Sequence, residues 1–153
     1  MSETLVLGLG NPLRGDDGVG PAVIEWLRQR GLPPGVVAVD GGTPGLDLVL
    51  MLEGRRRAII VDTAAMGRVA GEWARFALDA AQLRRNRSVL SLHGAGVADA
   101  LELSAALGQL PEEVVVFGVQ PAHLDWSPGL SVAAQAAVPE VGRAVLREIA
   151  NDH

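Results

Sequence analysis

With 153 residues, of which 48% are hydrophobic, the chain is long enough for one domain around a packed core and too apolar for disorder. Its net charge of −5, with Arg supplying all 13 basic residues and no Lys, argues against nucleic acid as a partner and removes a P-loop lysine, a Schiff base and a Ser-Lys dyad. The absence of Cys removes disulfides, thiolate nucleophiles and Cys-ligated zinc or iron–sulfur centres, which leaves Asp, Glu, His, Ser, Thr, Asn and Arg to carry any chemistry. No apolar run approaches the length of a membrane span. The N-terminus enters a strand-like run without a charged leader, so the expectation is a cytoplasmic protein with no membrane partner.

In chain order, residues 4–9 read as a first strand and 11–17 as a loop. Gly18 to Arg30 read as a helix, with Pro21 in its first turn and Val23, Ile24 and Leu27 on one face. Gly31, Pro33, Pro34 and Gly35 stop that helix, and residues 36–40 form a second strand. A glycine-rich turn over 41–45 leads to a short helix from Leu46 to about Leu52, with Arg55, Arg56 and Arg57 read as its solvated C-terminal side. Residues 58–62, AIIVD, are a third strand. Residues 66–77 read as a turn and an extra strand, from the alternation in EWARFA. Residues 83–89 are polar and read as loop, 94–107 as an Ala-rich helix, and 114–119 as a fourth apolar strand. Ser131 caps a last helix carrying Val138, Val141, Val145 and Ile149, which Pro139 should kink or divide.

The order β-α-β-α-β-(β)-α-β-α predicts a three-layer αβα sandwich. Its sheet should be twisted and mostly parallel, with helices on both faces and right-handed crossovers. Neither a repeat nor a linker divides the sequence, so residues 1–153 are expected to be one domain, and a monomer.

Asp17 follows the first strand by a short loop, Asp40 closes the second and Asp62 ends the third. Ligands of open α/β sheets bind in the crevice at the carboxyl ends of the strands, so the three acids point to one site. His93 lies in the small-residue stretch SLHGAG before a helical run. Each residue also has a plainer reading. Asp16 and Asp17 can cap a helix or complement its dipole, Asp40 can form an Asx-turn, Asp62 can cap a turn, and a lone His can be structural. Gly8-Leu9-Gly10 begins a dinucleotide fingerprint, but Leu13 stands where its third glycine belongs. Two carboxylates and one imidazole form a mixed oxygen/nitrogen set suited to a borderline divalent ion, with positions left open.

The motifs GLGNPLRGDDGVG, DGGTPGLDL, IIVDTA, SLHGAGVADAL and FGVQP followed by GLS come in that order and span Leu5 to Ser131. Together they resemble the hydrogenase maturation proteases of nickel–iron hydrogenases. The resemblance implies an α/β three-layer fold and an endopeptidase that removes a C-terminal extension from the hydrogenase large-subunit precursor after nickel insertion. It places metal contacts on Asp17, Asp62 and His93. It gives Asp40 a role in cleavage or substrate recognition, and Asp17 is taken with it as a catalytic candidate. The implied metal is the substrate's own nickel. Asp17 stands where some members carry Glu, a longer side chain. Residues 64–90 carry no signature, and no role is transferred to them. Three other readings remain open. GLGNP also begins peptidyl-tRNA hydrolases, although their Thr-Arg-His-Asn continuation is replaced here by Leu-Arg-Gly-Asp-Asp. The same acids would also serve an aspartic-type protease of other proteins, or a module that holds a metal-loaded precursor without cutting it.

Overall fold

The computed structural model describes residues 3–79 and 97–151. Five strands form one sheet: β1 (Thr4–Leu9), β2 (Val36–Gly42), β3 (Arg57–Thr63), β4 (Trp73–Ala77) and β5 (Glu113–Val119), in the order β2-β1-β3-β5-β4. β2, β1, β3 and β5 run parallel, and β4 closes one edge antiparallel to β5. The described helices are α1 (Val19–Arg30), α2 (Asp47–Leu52), α3 (Val97–Ala106) and α4 (Val132–Ala150).

Side chains alternate across a strand, so each apolar run feeds two cores. Leu5, Leu7 and Leu9 of β1 join Ile60 of β3 and Val116 of β5 beneath Leu48 and Leu52 of α2 and Leu101 of α3. Val6, Ile59, Val61 and Phe117 face the other way, under Val23, Ile24 and Leu27 of α1 and Val141 and Val145 of α4. The three-layer expectation therefore holds, with α2 and α3 on one face and α1 and α4 on the other.

Four local readings change. The helix expected from Gly18 starts at Val19, because Gly15–Gly18 wind into a separate 3-10 turn that holds both acids. β2 continues two residues beyond Asp40, to Gly42. Arg57 is no solvated helix end. It opens β3 and is only 4% exposed, with its guanidinium donating to the carbonyls of Glu148, Ile149 and Asn151 at 3.0–3.2 Å. Pro139 does not divide the last helix, which runs from Val132 to Ala150. Of the helix expected over 94–107, Val97–Ala106 is observed; residues 94–96 and the expected loop over 83–89 lie outside the described residues. Ser131 caps α4 as expected, its hydroxyl accepting from the Ala134 amide at 3.2 Å.

Candidate functional site

The chain adds β2 on one side of β1 and then crosses to add β3 on the other. Such a reversal opens a crevice at the carboxyl ends of the two central strands. α1 is pressed close to this end of the sheet. A Cβ on Gly20 would lie 2.3 Å from the Leu9 carbonyl oxygen and 2.7 Å from that of Val61, so only glycine fits there. That approach carries the 3-10 turn, and Asp17 with it, over the end of β3.

Asp17 is 1% exposed. One of its carboxylate oxygens accepts from the Asn11 amide at 2.7 Å and the other from the Thr63 hydroxyl at 3.2 Å. Asp62, 5% exposed, accepts from the Thr63 amide at 2.8 Å. Thr63 thus bridges its neighbour Asp62 and Asp17, which lies 46 residues before it in sequence. Buried carboxylates need such donors, because removal from water penalises the charged form. Gly10 makes the turn fit: its φ is +131°, and a Cβ there would fall 1.9 Å from the Asp17 carbonyl oxygen.

Asp40 is exposed on the edge strand β2, in register with Gly8. Its carboxylate accepts from the Gly42 amide at 3.1 Å, the Asx-turn geometry considered for it. The Gly42 carbonyl in turn accepts from the Gly10 amide at 2.8 Å, which ties the Asp40 turn to the loop holding Asp17. Three acids therefore reach the same end of the sheet, from the turn after β1, from β2 and from β3. His93 lies outside the described residues. Among the described residues, no group of three His, Asp or Glu side chains is arranged to hold a metal ion.

The sequence reading passed over four contributors. Thr63 and Asn11 position Asp17, and their only signal was a polar residue beside an acid or inside its loop. Asp16 was weighed as a helix cap. It is instead 1% exposed and accepts from the Ala122 amide, the Ser131 amide and the Ser131 hydroxyl at 2.7–2.8 Å. Gln120 holds the segment after β3 through its side-chain oxygen, which accepts from the Met66 amide at 2.7 Å.

Among the described residues no helix is long and apolar enough to cross a membrane. Residues 21–148 match the HycI hydrogenase maturation protease family model. The chain is 35% identical over 138 residues to the hydrogenase expression/formation protein HoxM of Cupriavidus necator, covering 89% of this chain and 68% of that protein. It is 31% identical over 135 residues to the hydrogenase 2 maturation protease of Escherichia coli, covering 88% and 82%. It superposes on the hydrogenase maturating endopeptidase HybD of E. coli with a TM-score of 0.85 at 30% identity, covering 96% and 91%. The fold, the match over most of the chain and the identity with these relatives agree: this chain belongs to the hydrogenase maturation protease family, and it is a peptide-bond hydrolase.

Proposed function

We propose that the protein removes the C-terminal extension of a nickel–iron hydrogenase large-subunit precursor after nickel insertion, recognising the metal through Asp17, Asp62 and His93. The observation that carries this reading is the Thr63 bridge, which joins two buried carboxylates at the crevice between β1 and β3. Paired acids there concentrate negative charge where a cation would be held, and an imidazole would complete a donor set suited to nickel. The ion belongs to the substrate. It can polarise a carbonyl or lower the pKa of a bound water.

The chain's own residues divide the remaining work. Asn11 and Thr63 fix the Asp17 carboxylate, so little reorganisation is needed when a precursor arrives. Asp40, exposed and anchored at one oxygen by Gly42, orients the attacking water or the peptide near the scissile bond. Gly42 beside it, where a Cβ would meet nothing within 4 Å, leaves room for a substrate backbone. Only a precursor that carries nickel completes the site, so specificity acts as a checkpoint on metal insertion.

The test is incubation of the enzyme with nickel-loaded and nickel-free precursor of identical sequence, with both products read by mass spectrometry. Cleavage of the loaded form alone is expected. Equal cleavage of both forms would remove the checkpoint, and binding without cleavage would leave a holding module.

A further inference from the structure

We propose that Leu13, Arg14 and Trp126 form a rigid docking rim for the hydrogenase precursor beside the Asp17 crevice; this deepens the function proposed above and rests on it. Trp126 is 73% exposed and Leu13 60% exposed. The segment between β5 and α4 that carries Trp126 has no helix or strand of its own. Nevertheless it is firmly held. The Gly15 amide donates to the Ser127 carbonyl at 2.7 Å, and the Asp16 amide to the His123 carbonyl at 3.1 Å. The buried Asp16 carboxylate takes three more bonds, from Ala122 and Ser131, at the two ends of the segment. Gly15 permits the close seat: its φ is +55°, and a Cβ there would meet the His123 ring at 2.6 Å.

The Arg14 guanidinium lies over the Trp126 ring, 4.9 Å from its centroid. This placement leaves Arg14 Nε buried with no hydrogen-bond partner among the described residues. The stack therefore does not serve to satisfy the arginine. A scattered exposed apolar residue needs no explanation. Here, however, a buried carboxylate and five hydrogen bonds fix the segment that presents the indole, and the Arg14 stacked on it follows Leu13, a second exposed large apolar side chain. Fixing a contact surface before binding reduces the ordering cost of association, and Trp and Arg are the residue types that most often dominate protein interfaces.

The occupant follows from position. Leu13 and Arg14 belong to the same loop as Asp17, so a polypeptide whose scissile bond reaches the crevice passes over them. A protein substrate is larger than the crevice and must rest on its rim. The complementary surface is an apolar patch of the precursor bordered by acceptors for the arginine.

The full-length enzyme would be tested with nickel-loaded precursor, for binding by titration calorimetry and for cleavage by initial rates. Trp126→Ala and Leu13→Ser should each raise Kd and KM on the order of tenfold, with kcat within about twofold of wild type. Asp16→Asn, which loosens the segment, should also raise KM. Leu107→Ser, an exposed apolar position just past α3, should change neither parameter, and melting temperatures should show that Trp126→Ala folds normally. Unchanged Kd and KM in both rim variants would overturn the proposal, as would a loss confined to kcat. A wild-type enzyme that binds precursor but does not cut it would defeat the proposed function and leave the rim standing if Trp126→Ala weakens binding. A wild-type enzyme that does neither would overturn both.

Discussion

The two ends of the sheet treat charge in opposite ways. Where the strands begin, Thr4, Arg57 and Glu113 stand in register on β1, β3 and β5. Arg57 bonds the Thr4 hydroxyl, closes the last turn of α4 through three carbonyls and lies 4.0 Å from Glu113. Nearby, Arg75 pairs with the buried Glu148 at 2.6 Å. Positive groups there meet acids and the negative end of a helix dipole, which seals the edge. Where the strands end, amides and hydroxyls donate to Asp16, Asp17 and Asp62. Neutral donors hold a carboxylate in place without cancelling its charge. The first end is arranged for stability, and the second gathers the acids of the proposed site.

The largest effect that would test this division is at Asp40. Asp40→Asn should lower kcat for precursor cleavage by roughly 10²–10⁴, the range for losing a positioned acid or base. Its exposure predicts almost no change in melting temperature. A variant that processes precursor at the wild-type rate would remove Asp40 from the reaction.

Arg57→Ala is the converse experiment. It strips four bonds from a buried position and leaves the carbonyls at the end of α4 and the Glu113 carboxylate without their cation. With about 1–3 kcal/mol for a buried polar group left unpaired, a loss of about 3 kcal/mol is expected, or roughly 6–12 °C in melting temperature. Cleavage per folded molecule should not change. Thermal unfolding measured beside activity at low temperature separates the two, and a fall in specific activity would show that the ends are coupled.

Much of this arrangement was readable from the chain, for physical reasons. Strands buried on both faces leave continuous apolar runs, so β1, β3 and β5 stand out; Asp62 is conspicuous because it closes one of them, and Asp40 because it closes the apolar run of β2. What escaped was partnership. Asp16 and Asp17 are neighbours of identical chemistry, yet one faces the segment before α4 and the other faces Thr63. A 3-10 turn rather than a helix separates their directions, and no sequence periodicity encodes that. Arg57 was misread for a similar reason. Three consecutive arginines look like a solvated run, and only the register of β3 sends the third into the sheet edge. Asp40 kept both of its readings, since an Asx-turn does not prevent a carboxylate from meeting a substrate.

A smaller effect belongs to Thr63. Thr63→Val keeps the shape of the β-branched side chain and its amide bond to Asp62 but removes the hydroxyl that Asp17 accepts. Supporting bonds of this kind are typically worth 10–100-fold in metal affinity or activity. Cleavage of nickel-loaded precursor should fall by about tenfold, the low end, because Asn11 still holds the other oxygen of Asp17. Thr63→Ser, which restores the hydroxyl, should recover most of the rate. Failure of the serine variant to recover it would mean that packing at this position, rather than the bond, was responsible.

The smallest predicted effect falls on a residue that belongs to both ends through one helix. α4 is held at its C-terminus by Arg57 and at its N-terminus by Ser131. The Ser131 hydroxyl accepts from Ala134 as a helix cap and also donates to Asp16. Ser131→Ala should cost about 1 kcal/mol of stability, the usual value of a lost cap. Asp16 keeps the Ser131 and Ala122 amides, so the segment carrying Trp126 should loosen rather than detach. A few-fold rise in KM for precursor with little change in kcat is then expected. Ser131→Asp offers a cap without a hydroxyl donor and sets a second negative charge beside Asp16. It should restore the helix cap while worsening KM, so stability and KM would move in opposite directions. If the two instead move together across both variants, the cap and the docking segment act as one structural unit, and the separation between a stabilising end and a functional end fails at α4.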